Sequence, residues 1–218
     1  MEEKIKIDIV SDVVCPWCTI GYKRLEKAIT EMGIEDQVEI EWQPFELNPK
    51  MPVEGQDLQE HIKEKYGSTT EQQKASQQHM INAGEELGFT FDYFDGMRMA
   101  NTFEAHILLE YAKDFGRQTE LKMKLTKAFF SERKDVSKRE VLKQALQEVG
   151  LNADEAMARL DMDEARMEVR NKEAYWQGLG VNSVPTIVFN RKSAVTGAQP
   201  TDVFKQILSE VLMQKETI

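Results

Sequence analysis

The sequence predicts an α/β fold interrupted by a large helical insertion, and three observations carry that prediction. Residues 5–45 read as strand, helix, strand. Strand signals return only after Gly180, and an amphipathic helix follows them. Between the two lie more than a hundred residues of helical periodicity. The expected order is β-α-β, a helical block, then β-β-α around a central mixed sheet. The α/β part is expected at 1–55 plus 177–218 and the helical insertion at 56–176.

Each element follows from its local pattern. Ile5 to Val10 (IKIDIV) alternates apolar and polar residues and is rich in isoleucine and valine, which predicts a strand. From Pro16 to Glu31 the spacing becomes helical, with Trp17, Ile20, Gly21, Arg24, Ala28 and Ile29 at three- and four-residue steps. Pro16 suits the first turn, where its missing N–H would have no partner, and Gly33 supplies a stop. Val38 to Phe45 alternates again. A strand, a helix and a parallel strand form a right-handed crossover. Pro49, Pro52 and Gly55 then break the pattern.

The block that follows is almost wholly helical. Glycines 67, 88, 116, 150 and 180 close successive periods as C-caps should, and Ser137 and Asp163 are expected N-caps. FTFDYFDGM reads as an irregular aromatic connection. After Gly180 the TIVF stretch and KSAVTG are strand-like. Val203, Phe204, Ile207, Leu208, Val211 and Leu212 mark a last amphipathic helix.

Composition narrows the function classes. The chain has 218 residues, 41% hydrophobic and 30% charged, as an ordinary globular protein does. That length buries enough core to need no disulfide staples. A formal net charge of −10 argues against a nucleic-acid partner, because phosphate backbones attract basic surfaces. No apolar run reaches the roughly 18 residues of a membrane span, so no membrane partner is expected. The start, MEEKIKIDIVSD, is charged and then strand-like, so a cytoplasmic location is expected, where reduced thiols favour catalytic or metal roles.

The chain has two cysteines, Cys15 and Cys18, and chance would place two at this spacing about once in a hundred sequences. A zinc site needs about four ligands, and the others would have to come from His61, His79, His106 or carboxylates without finger-type spacing. Two inert buried thiols are a second reading. A redox dithiol is favoured. A helix beginning near Cys15 aims unpaired N–H groups and the positive dipole end at the first sulfur, which favours thiolate over thiol. Cys18 lies one turn on and would resolve a mixed disulfide formed at Cys15. Trp17 would shield the pair or simply pack in the core.

The stretches DIVSDVVCPWCTIG, PFELNP, ANTFEAHILLEYA, GVNSVPTIVFN and VTGAQP together resemble the DsbA-like branch of the thioredoxin superfamily, and within it the FrnE-type subfamily. The resemblance implies a thioredoxin fold with an inserted α-helical domain and thiol–disulfide oxidoreductase activity. It implies Cys15 and Cys18 as the catalytic pair, with Pro16, Trp17, Val184 and Pro185 binding substrate. It also implies a cis Val184–Pro185 bond that faces the dithiol, a minority state for X-Pro, and a backbone there that pairs with an extended peptide. The substrates expected are proteins or small thiols and disulfides. No tightly bound cofactor and no metal are expected, and glutathione is a candidate co-substrate.

Two other readings stay open. Related kappa-class glutathione transferases and hydroxychromene-carboxylate isomerases carry serine where Cys15 stands, so the cysteine favours thiol–disulfide exchange, and a glutathione-dependent isomerase or transferase is kept as one alternative. A redox-linked chaperone or binding module is the other. Asn48 and Gln199 match family stretches, though turn or capping roles fit them as well. His106, among Phe103, Ile107 and Leu109, is expected to be a packed histidine.

Overall fold

The computed structural model describes residues 4–216. The chain divides into two compact units, Met1–Phe45 with Lys172–Ile218, and Glu46–Asn171.

The first unit opens with β1 (Ile5–Ser11), α1 (Pro16–Met32) and β2 (Val38–Pro44). β1 pairs in parallel with β2, from Ile5 opposite Val38 to Ser11 opposite Pro44. Ile5, Ile7 and Ile9 share one face of β1 by the two-residue period, and all three are fully buried. Val10, on the opposite face, packs with Trp176 and Val188, and Phe45, Val181 and Val184 adjoin them. A central strand covered on both faces needs apolar side chains on both, as β1 has. Gly33 ends α1 with φ 64°, a left-handed conformation open to glycine, and its N–H bonds Thr30 O.

The second unit carries β3 (Gln56–Asp57), α2 (Leu58–Tyr66), α3 (Thr70–Glu85), β4 (Arg98–Met99) and α4 (Phe103–Asp114). α5 (Gln118–Phe130), α6 (Arg139–Glu148), α7 (Ala153–Arg159) and α8 (Asp163–Gly178) follow, and the unit boundary falls within α8. Leu108, Leu121, Leu125, Leu142, Leu146 and Leu160 are fully buried in its core. FTFDYFDGM is the expected irregular aromatic connection: Phe89, Phe91 and Phe130 form a cluster with centroids 4.8–5.0 Å apart. It leads into β4, which forms a two-residue ladder with β3 that the sequence pattern does not reveal. Residues this few carry no periodicity. α7, with seven residues, likewise shows no period of its own. Ser137 does not cap α6: Lys138 is the N-cap, and the Ser137 hydroxyl donates to Asp135. Asp163 is the first helical residue of α8 rather than its N-cap. The five expected C-cap glycines all have positive φ.

The chain then completes the first unit with β5 (Thr186–Phe189), β6 (Ser193–Thr196) and α9 (Thr201–Glu216). β5 is antiparallel to β1 and β6 antiparallel to β5, giving a mixed sheet in the order β2-β1-β5-β6. α9 packs against α1, buries Phe204 and Leu208, and pairs Lys205 with Glu31. No helix of the described residues is long and apolar enough to cross a membrane.

Candidate active site

The end of β1 delivers the chain to the first turn of α1, and both thiols lie there. Cys15 is the N-cap residue, with extended backbone (φ −97°, ψ 111°). Its sulfur accepts a hydrogen bond from the Cys18 N–H at 3.4 Å. This is the capping geometry that serine or aspartate usually supplies, made here by a sulfur. Pro16 occupies the first helical position, so its missing N–H costs the helix nothing. Cys15 O accepts the first intrahelical bond, from Thr19 N–H at 3.3 Å. The first turn carries no acidic residue that would oppose negative charge on the sulfur.

Burial grades the pair. Cys15 is 4% exposed and Cys18 1%, while Trp17 between them is 36% exposed. Both stand as thiols rather than as a disulfide. Trp17 therefore presents its ring at the surface beside the dithiol, instead of packing in the core. Asp12, three residues before Cys15, is buried, and its Oδ1 accepts from Val13 N–H at 2.7 Å. Nothing in the sequence pattern marked it, because an aspartate after a strand reads as ordinary loop chemistry.

The Val184–Pro185 bond is cis. Pro185 is buried and Val184 half-buried against the Val10 cluster. Thr186 Oγ1 donates to Ser183 O at 2.8 Å, closing the turn into β5. A Cβ on Gly21 would stand 3.1 Å from Pro185 Cγ, so the ring rests on α1 three residues beyond Cys18. The fold thus brings the Val184–Pro185 segment, about 170 residues away in sequence, onto the helix that carries both thiols.

Gln199, Asn48 and His61 have described partners of their own. Gln199 lies in the turn after β6, where its Nε2 donates to Thr196 O at 2.8 Å. Asn48 belongs to the second unit, and its Oδ1 accepts from Lys65 Nζ at 2.8 Å. His106 is 2% exposed on α4. His61 bonds Gln56 through Nδ1, and burial, helped by the charge of Lys65, holds its imidazole below the usual range. Among the described residues no group of three or more His, Cys, Asp or Glu side chains is arranged to hold a metal ion.

A family model, the DSBA-like thioredoxin domain, matches residues 6–209. The chain belongs to the DsbA-like thioredoxin family. It is 32% identical to a probable DsbA oxidoreductase from Streptomyces coelicolor, with TM-score 0.89, covering 95% of this chain and 90% of that one. The YwbO protein of Bacillus subtilis is 26% identical over 97% of this chain and 99% of its own length. The cytosolic disulfide reductase DsbM from Pseudomonas aeruginosa, in a structure with GSH, shares the fold at TM-score 0.68 and 18% identity. That match covers 95% of this chain and 99% of DsbM. The DsbA-like chain is thus an oxidoreductase by family, and its central mixed sheet is that of the thioredoxin fold.

Proposed function

We propose that the DsbA-like chain is a cytoplasmic thiol–disulfide oxidoreductase of the FrnE type, working through the Cys15-Pro16-Trp17-Cys18 dithiol. The observation that carries the reading is Cys15 at the N-cap of α1, with the Cys18 N–H directed at its sulfur. A helix N-terminus stabilises negative charge on a group held there, and thiolate is the reacting form of cysteine.

In the reducing direction, the Cys15 thiolate attacks one sulfur of a substrate disulfide. The substrate S–S bond breaks, one substrate thiolate leaves, and a Cys15–substrate mixed disulfide forms. Cys18, having lost its proton to solvent, attacks the Cys15 sulfur and releases the second substrate thiol. Two electrons pass to the substrate, and Cys15–Cys18 becomes the disulfide. The reverse sequence oxidises a substrate dithiol. Trp17 and Val184–Pro185 would flank the reacting sulfur and contact the substrate, with the backbone at Val184 pairing with an extended peptide. Pro16 sets the entry of α1 and so the approach to Cys15.

Proteins and small thiols or disulfides are the substrates proposed. Glutathione suits the recycling step, and the presence of GSH on DsbM, a cytosolic reductase of this fold, supports both that role and the location. The net charge of −10 fits such partners better than nucleic acid. Insulin reduction with wild type and Cys15→Ser tests the reading. Loss of the rate in Cys15→Ser is expected, and equal rates would contradict it.

A further inference from the structure

Two segments far from α1 in sequence converge on one side of it. Gly197 N–H donates to Pro185 O at 2.7 Å, tying the turn after β6 to the Val184–Pro185 segment. Arg24 Nη1 donates to Ala198 O at 2.7 Å, tying that same turn to α1. Beneath both, a Cβ on Gly21 would stand 3.1 Å from Pro185 Cγ and 3.4 Å from Ala198 Cα. Cys18, Gly21 and Arg24 follow at three-residue steps, so α1 presents them on successive turns. The helix that carries the dithiol is also the seat of the Pro185 segment.

The turn itself is internally fixed. Gln199 N–H donates to Gly197 O at 3.0 Å, and Gln199 Nε2 donates to Thr196 O at 2.8 Å. Gly197 has φ 80°, which a side chain would disfavour. Such a turn moves as one piece, so the bond that ties its apex to α1 helps set where the piece sits. Ala198 O is at that apex, and Arg24 holds it with a charged donor, the stronger class of hydrogen bond.

We propose that Arg24 is a positioning residue for thiol–disulfide exchange: through Ala198 O and the Gly197–Pro185 bond it fixes the Val184–Pro185 segment over the thiol-bearing helix. The inference rests on the exchange reading above. Arg24 touches neither thiol nor substrate in this role. It sets the height of the segment on which an extended substrate would lie, so its loss weakens substrate capture and leaves the reactivity of Cys15 alone.

The experiment compares wild type, Arg24→Ala and Arg24→Lys in insulin reduction, in iodoacetamide alkylation of Cys15 read by peptide mass, and in amide exchange at Gly197. For Arg24→Ala, KM is expected to rise about tenfold with kcat nearly constant, the scale of one charge-assisted hydrogen bond. Alkylation of Cys15 should keep its wild-type rate, and Gly197 should lose exchange protection while the β5 amides keep theirs. Arg24→Lys, which keeps a cationic donor, should restore most of the KM. An unchanged KM, an unprotected Gly197 already in wild type, or an alkylation rate that falls in step with activity would overturn the proposal. If Arg24→Ala does not fold, Arg24→Lys and Arg24→Gln decide it by the same measurements. A wild-type protein with no exchange activity would instead contradict the function proposed above, and Gly197 protection would still decide whether Arg24 holds the turn.

Discussion

The two units solve their placement problems with different groups. In the α/β unit, backbone groups and close approach do most of the placing on α1 and the Val184–Pro185 segment: an N–H on the Cys15 sulfur, Gly197 N–H on Pro185 O, and a bare Gly21 under the proline ring, with Arg24 on Ala198 O as a charged addition. In the helical unit, charged side chains link segments across long sequence distances. Arg139 bonds both Glu104 and Asp161, Arg133 bonds Asp92, and Lys124 reaches Glu132 and Glu148. Backbone groups have no rotamers, so they hold a neighbour without losing side-chain entropy. Exposed ion pairs lose most of their Coulomb energy to water and side-chain entropy. The contrast teaches that the segments on α1 are placed chiefly by shape, while the exposed ionic links of the helical unit add modest stability.

The comparison is sharpest where the helical unit also depends on shape. At Gly84 in α3 a Cβ would meet Phe89 O at 2.5 Å and Phe91 Cδ2 at 2.6 Å. Because the first obstacle is backbone, Gly84→Ala is expected to destabilise the protein by about 2–3 kcal/mol, the upper part of the overpacking range. Urea denaturation checks this, and an unchanged midpoint would mean that the aromatic segment can move away.

The ionic links are expected to matter less. Arg139→Ala removes the bonds to Glu104 and Asp161 and should cost roughly 1 kcal/mol near neutral pH, because the arginine is about half exposed. The pH dependence has a definite sign. The Arg139 hydrogen bond, and then its charge, hold the Asp161 carboxyl below its ordinary value of 3.8. A depressed folded value contributes stability that is complete above the unfolded value and disappears as pH falls through the lower folded one. The gap between wild type and Arg139→Ala should therefore be full at pH 6 and smaller at pH 3.5. Urea midpoints at both pH values, each with and without 0.5 M salt, check it. A gap that widens in acid would place the effect of Arg139 elsewhere.

Much of this was legible in the sequence, for reasons that differ by element. The IKIDIV alternation located β1, and the Pro16–Glu31 period located α1 to within a residue, because burial on both sides leaves little choice of pattern. The cysteine spacing and the helix start together marked the dithiol. Arg24 was read only as one position of a helical period. Its partner is a backbone carbonyl 174 residues away, which no local pattern can announce. The β3–β4 ladder and the seven-residue α7 were too short to show a period. Ser137 looked like a cap by residue type, but its hydroxyl found the Asp135 carboxylate nearer.

The central claim is that Cys15 attacks and Cys18 resolves, and trapping the mixed disulfide tests it most directly. Cys18→Ala and Cys15→Ala are each incubated with oxidised glutathione, and the adduct is located by intact mass and peptide mapping. The account predicts a stable glutathione adduct on Cys15 in the Cys18→Ala chain and far slower modification of Cys18 in the Cys15→Ala chain. Equal modification of the two, or an adduct that forms only on Cys18, would contradict it.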